Sequence, residues 1–357
     1  MEKKKLKRIL SLDGGGIRGI LTSKVLEALE EKLNDQYTQK NGAPREKPIR
    51  LGEYFDMIAG TSTGGILACI LLCPSENDPT YPRFSASEAV GLYLENGKSI
   101  FKPTFNGRLP GFLQGIGGSM FGDKSIADVL KSYLKETRLS EMLKPCLITS
   151  YDIQERQAVF FTSHDALKKE SRDFPLWEVC RSTSAAPTYF PPAMARASDD
   201  FLLHTIDGGL FANNPTMCAF IEALKIFRDE EQQLLGADRM MIVSIGTGEI
   251  KTKYLFSDAK KWGVLRWVKP IIDIMMTGVS ETVDYQLMKL FKTIDCTDQY
   301  FRIMPELGDA NPAMEDISPK NLENLRQAGI KTANIYEDKI DRIAKMLLEN
   351  HLVKTLI

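Results

Sequence analysis

With 357 residues, 43% of them hydrophobic and 26% charged, the chain can bury a large core and is poorly suited to intrinsic disorder. Its 46 basic and 47 acidic residues leave a net charge of −1, which excludes a global field steering it toward DNA, RNA or an anionic membrane. No apolar run approaches the ~18 residues of a spanning helix.

The Lys-rich start, Met1 to Arg8, reads as a solvated basic extension over residues 1–8. It runs into Ile9-Leu10-Ser11-Leu12, too short for a signal-peptide core and without a small-residue cleavage site, so a cytosolic chain is expected. Arg8 to Leu12 reads as a short buried strand ending in the glycine turn Asp13-Gly14-Gly15-Gly16-Ile17-Arg18-Gly19. Leu21, Val25, Leu29 and Leu33 then form the stripe of an amphipathic helix, followed by a polar loop from Gln36 to Pro48. Tyr54 to Ala59 is a second strand, leading through Gly60-Thr61-Ser62-Thr63-Gly64 into an apolar helix from Ile66. This strand–turn–helix order predicts an α/β fold with a mainly parallel sheet covered by helices.

From Phe101 to Gly122, six glycines (107, 111, 115, 117, 118, 122) alternate with large apolar residues. The segment reads as a packed irregular loop or, less favoured, as a mobile apolar flap. Further strands are expected at Cys146 to Tyr151, Ala158 to Thr162, His204 to Ile206 and Met240 to Ile245. Trp262 to Met276 is rich in large apolar groups, most of them assigned to a core, with Trp262 and Trp267 candidates for acyl chains or a membrane interface. Ser318-Pro319 starts a helix, with a capping side chain and proline at the first helical position, and Ile340, Ile343, Leu347 and Leu348 mark another. The organisation is thus a main body over residues 9–310 and C-terminal helices, 311–357, packed on it.

Six scattered cysteines without a C-x-x-C pair, and only three histidines, read as buried free thiols rather than a metal site. Three short segments carry chemistry. The glycine turn after the first strand leaves N–H groups bare to an anion, as an oxyanion hole requires. It also spells the dinucleotide fingerprint, but no acidic residue ends a second strand about twenty positions on, as that reading needs. Gly60-Thr61-Ser62-Thr63-Gly64 is a G-x-S-x-G elbow, in which Gly60 and Gly64 leave room for a tight turn presenting Ser62; a plain structural turn has the same pattern. There is no lysine in the P-loop position. Ile206-Asp207-Gly208-Gly209 ends another strand, where Asp207 is either a turn aspartate or a base for the serine. Of the histidines, His164 and His204 precede Asp207 and His351 lies in the tail, so the Ser–Asp–His order of a triad is poorly supported. What remains is a Ser–Asp dyad whose carboxylate gains basicity by desolvation.

These segments, in this order, resemble the patatin family of lipid acyl hydrolases. Ser182-Thr183-Ser184-Ala185-Ala186-Pro187-Thr188-Tyr189-Phe190-Pro191-Pro192, Ser244-Ile245-Gly246-Thr247-Gly248 and Lys261 through Trp267 are similar to patatin stretches as well, and the likeness runs from about Arg8 past Leu325. Asn213-Asn214-Pro215 looks more bacterial than plant-like. The resemblance implies a three-layer α/β/α sandwich, with Ser62 as nucleophile, Asp207 as general base, and an oxyanion hole at Gly14, Gly15 and Gly16. It implies a dyad loop through Gly208 and Gly209, and leaves Arg18 to meet a phosphate head group or a local carboxylate. The expected reaction is hydrolysis of phospholipid, lysophospholipid or galactolipid esters through an acyl-enzyme, with no metal, no cofactor and no nucleic acid, and with transient contact to a membrane surface. A storage role or a cyclic-nucleotide-regulated effector on the same fold are the alternatives; oligomeric state is left open.

Overall fold

The computed structural model describes residues 5–100, 119–228, 232–249 and 253–352. Eight strands form one mixed sheet: β1 (Lys7–Leu12), β2 (Met57–Thr61), β3 (Cys146–Asp152), β4 (Gln157–Phe161), β5 (Ala193–Arg196), β6 (Leu202–Asp207), β7 (Met240–Ile245) and β8 (Tyr300–Ile303). The order is β5-β6-β3-β2-β1-β7-β8, with β4 also paired to β3. Pairs among β3, β2, β1, β7 and β8 are parallel, and those made by β4, β5 and β6 are antiparallel.

Alternation along the strands divides the core in two. Leu10, Leu12, Ile58, Ile148, Val243 and Ile245 face one layer, packed by helices Gly19–Asn41, Thr63–Leu72, Leu176–Thr183, Pro319–Ile335 and Glu337–Leu352. Ile9, Met57, Ala59, Leu147 and Ile242 face the other, where Ala219 and Phe220 of helix Thr216–Ile226 meet Leu287 and Phe291 of helix Val264–Thr293. The result is the three-layer α/β/α sandwich that the resemblance implied, built on the helix-covered, mainly parallel sheet that the strand–helix alternation predicted. β1, β2 and β7 are covered on both faces, which explains their nearly unbroken apolar sequence.

Several expectations need correction. β1 begins at Lys7, so the basic extension does not reach residue 8: Arg8 is buried and holds Asp56 through Nε at 2.8 Å and Nη2 at 3.0 Å. The first helix continues to Asn41, into the segment read as loop, and stops at Gly42, whose φ of 73° suits the left-handed helix terminus. Polar residues from Gln36 onward lowered the apolar signal without breaking the helix. Trp262 to Met276 is largely not core: Val264, Val268, Ile271, Ile274 and Met275 are exposed, no described element covering them. The glycine-rich stretch lies mostly outside the described residues; at its end the N–H groups of Met120 and Phe121 donate to the carbonyls of Thr188 and Tyr189. Ser318 does cap its helix, accepting from the Asn321 N–H, and Asn214 accepts from the N–H of Thr216 at 3.0 Å.

Candidate active site

The elbow forms where β2 gives way directly to helix Thr63–Leu72. Ser62, the residue between them, has φ 54° and ψ −122°, a conformation costly for any residue with a Cβ. Close packing forces the flanking glycines: a Cβ on Gly60 would stand 2.2 Å from the Gly64 carbonyl oxygen, and one on Gly64 would stand 2.2 Å from that of Leu12. The Ser62 N–H donates to Thr183 Oγ1 at 2.8 Å, tying the elbow to the adjoining helix. Thr61 Oγ1 donates to the Ala212 carbonyl at 2.6 Å and shares a 2.7 Å hydrogen bond with Thr149 Oγ1.

Sheet register brings Asp207 to the serine. On β3, Ile148 and Thr149 pair with both β2 and β4, while Ser150 to Asp152 pair with both β4 and β6. β4 therefore occupies one edge of β3, and β2 and β6 share the other, approaching head to head. Thr61 sits opposite Thr149 and Asp207 opposite Ser150, so the two strand ends stop against adjacent residues of one template. Ser62 and Asp207 thereby line the same cavity wall, and the Asp207 Oδ1 accepts from the Gly209 N–H at 2.7 Å. Asp207 is 4% exposed, and burial pushes its carboxyl up to about 6 against the opposing pull of Ser62, Gly209 and Arg181. A Cβ on Gly208 would strike Thr149 Oγ1 at 2.2 Å, so the turn after Asp207 lies flat on β3.

No histidine joins this pair. His164 bonds Glu222 at 2.8 Å, His351 stacks on Tyr54, and His204 pairs with Met194 in the β5–β6 ladder.

The glycine loop faces the elbow, but its members differ in role. The Gly14 N–H donates to the Asn213 carbonyl at 3.0 Å, and the Gly14 carbonyl accepts from Thr247 Oγ1 at 2.7 Å. Gly14 thus anchors the loop and has no N–H left for an oxyanion, contrary to the expectation that all three glycines donate. The N–H groups of Gly15 and Gly16 have no acceptor among the described residues. Thr63 N–H, first in its helix, has no intrahelical partner either and adds a third donor. Gly16 has φ 60°, and a Cβ there would stand 2.6 Å from the Met314 carbonyl oxygen.

Arg18 turns away from the serine. It is only 6% exposed; its Nε donates to the Gly15 carbonyl at 3.2 Å and its Nη1 has no partner. Burial lowers its guanidinium to about 10, while Asp273, Tyr189 and Glu315 pull it upward without forming an ion pair within 4.0 Å among the described residues. Asp13, at the start of the loop, is clamped by Arg302 (Nη1 to Oδ1 2.9 Å, Nη2 to Oδ2 2.6 Å).

Two cavities meet here. The first is apolar, reaches Ser62 and Asp207 and is walled by Ile66, Tyr93, Phe190, Leu210, Ile272 and Met276. The second is polar, lined by Arg18, Asn213, Asp273, Glu281, Asp284 and the Asp13–Arg302 pair. Both share Met276 and Met314 as a partition. Sequence reasoning had not singled out Asn213, Thr149 and Arg302 for the site; nothing in their local sequence marks them, since their partners come from distant strands. Thr183 lay within the Ser182–Pro192 stretch, but its bond to the Ser62 N–H had no sequence signature.

The mixed sheet between two helical layers, with an elbow where β2 meets its helix, defines an α/β/α protein. The sequence pattern described as patatin-like phospholipase matches residues 10–220, and the chain belongs to this family. It is 35% identical to Patatin-like protein 1 of Arabidopsis thaliana, covering 93% of this chain and 83% of that one, and 34% identical to Patatin-like protein 2 of Oryza sativa subsp. indica (92% and 84%). It is also 30% identical to a Solanum tuberosum protein named probable inactive patatin-3-Kuras 1 (95% and 92%).

Proposed function

We propose that this protein is a serine lipid acyl hydrolase, cleaving fatty acyl esters of phospholipids or lysophospholipids through an acyl-enzyme. One observation carries the reading: Ser62 shares the wall of an apolar cavity with a buried carboxylate of raised basicity, and the two act on each other electrostatically. Ser62 Oγ attacks the ester carbonyl while Asp207 accepts its proton, and the negative oxygen that develops is met by the N–H groups of Gly15, Gly16 and Thr63. Asp207 then returns the proton to the departing alcohol, and a water activated by the same carboxylate cleaves the acyl-enzyme. The positive end of helix Thr63–Leu72 adds to the stabilisation at the serine.

The apolar cavity supports an acyl chain, and Arg18, a cationic residue lining the adjoining polar cavity, supports a phosphate on the same substrate. The test is labelling with a fluorophosphonate probe, together with product analysis on phospholipid and lysophospholipid. Ser62→Ala should abolish labelling, and Ser62→Ala or Asp207→Asn should each cut turnover by about a thousandfold or more with the fold retained. A Ser62→Ala protein of full activity overturns the mechanism. A wild-type protein that neither labels nor turns over any acyl ester overturns the function.

A further inference from the structure

Four of the exposed apolar residues of helix Val264–Thr293 share one line along its first half. Val264, Val268, Ile271 and Met275 recur at spacings of four, three and four, one stripe along the helix surface, with Val264 83% exposed. Ile272 and Met276 lie one position further round the helix and wall the apolar cavity that reaches Ser62. The stripe therefore borders the side of the helix that faces the cavity. Just before it, Tyr254, Leu255 and Phe256 are exposed, Phe256 at 82%. The Tyr254 hydroxyl donates to Asp273 Oδ2 at 2.9 Å, and the rings of Tyr254, Trp262 and Trp267 pack edge to face in series, at 5.4 and 5.1 Å between centroids. Loop and helix are thereby joined into one surface.

Cations are interleaved with these apolar groups. Lys253, Lys260, Lys261 and Arg266 are all exposed, and between Lys253 and Val268 the single acidic residue is Asp258. The whole chain carries a net charge of −1, so this basic character is local, and local charge is what a surface within about one Debye length feels. Apolar side chains, half-buried tryptophans and lysines on one face are the composition of a segment that lies in the plane of a bilayer interface. A protein partner would need matching acids for these cations; an anionic lipid surface supplies them continuously.

We infer that residues 253–275 form the surface by which this protein docks on anionic lipid bilayers, bringing the apolar cavity against the acyl chains. The inference rests on the lipid hydrolase reading for its purpose, though binding is measurable without turnover. No described helix is long and apolar enough to cross a membrane, and docking in the plane requires none.

The experiment is flotation of the full chain with vesicles of ether-linked phosphatidylcholine, which carry no ester to cleave, with and without ether-linked phosphatidylglycerol. Binding is expected to the mixed vesicles, to weaken with salt, and to be slight on phosphatidylcholine alone. Lys260→Gln, Lys261→Gln and Arg266→Gln combined should lower partitioning about a hundredfold. Phe256→Ser with Val264→Ser should lower it at least about tenfold. Both variants should keep the wild-type rate on a short water-soluble ester while losing rate on ester-lipid vesicles in step with binding.

Equal binding to both kinds of vesicle removes the electrostatic part, and no binding, or variants that bind like wild type, overturns the docking surface. A concentration-dependent dimer abolished by Phe256→Ser with Val264→Ser reassigns the face to a second copy of the chain. Docking without any ester hydrolysis leaves this inference standing and sinks the hydrolase reading, whereas hydrolysis of soluble ester without docking does the reverse.

Discussion

Replacing or titrating Asp207 separates its two roles, base and buried charge. Its carboxyl sits at about 6 in the folded protein against an ordinary 3.8, a gap of about 3 kcal/mol between the two protonation states. As a base it must be ionised, so kcat/KM on a soluble ester should rise tenfold per pH unit below about 6 and level off above it, with about one-tenth of the plateau left at pH 5. A carboxylate at its ordinary value would leave the rate flat down to about pH 4. The stability effect has the opposite sign. The folded state holds this proton more tightly than the unfolded chain, so the contribution is present below about pH 4 and is lost as pH rises through about 6. Asp207→Asn keeps the site neutral at every pH. It should therefore be inactive and also more stable than wild type at pH 8, by up to about 3 kcal/mol, the difference closing toward pH 4. Urea unfolding at the two pH values, beside a pH–rate profile, measures both. A profile flat from pH 4 to 7, or an Asp207→Asn protein less stable than wild type at pH 8, refutes the assignment of a desolvated base.

Ser62→Gly should unfold about 1 kcal/mol less readily than Ser62→Ala, because only glycine is at ease at φ 54°; thermal denaturation of the two inactive proteins compares them directly. Arg302→Met leaves the Asp13 carboxylate buried without its bidentate partner and should cost about 3–5 kcal/mol in a urea titration. Arg18→Gln should reduce kcat/KM for lysophosphatidylcholine about tenfold more than for a monoacylglycerol of the same chain, since a charge-assisted bond to phosphate is lost in one case only. An unchanged ratio between the two substrates removes the phosphate role from Arg18.

Much of the architecture was legible because parallel strands buried on both faces leave short apolar runs that stand out between helical stripes, as at Arg8 to Leu12 and Met240 to Ile245. β5 and β8 escaped notice. Each has four residues and no run of its own, and each exists because a longer neighbour offers an edge. Ser62 and Asp207 were legible as glycine-flanked residues at strand ends, and the odd spacing of His204 from Asp207 argued correctly for opposite faces. What the spacing could not reveal was division of labour within the glycine loop: Gly14 is spent on the Asn213 carbonyl and Thr247, partners some two hundred residues away. Likewise, composition assigned Val264, Val268 and Ile271 to a core. Hydrophobicity states what a residue prefers, not whether a neighbour is present to cover it.

The head-to-head meeting of β2 and β6 makes β3 a ruler for the spacing of Ser62 and Asp207. Slipping either strand by one residue along β3 would displace its terminal side chain by about 3.3 Å and turn it to the opposite face, so misregistered folds are silent rather than weakly active. The turn joining β3 to β4, residues 153–156, falls after the serine and the ruler but before the aspartate. Each half of a chain severed there would hold half of the reactive pair, and turnover would report, molecule by molecule, that the two halves of the sheet had found one another.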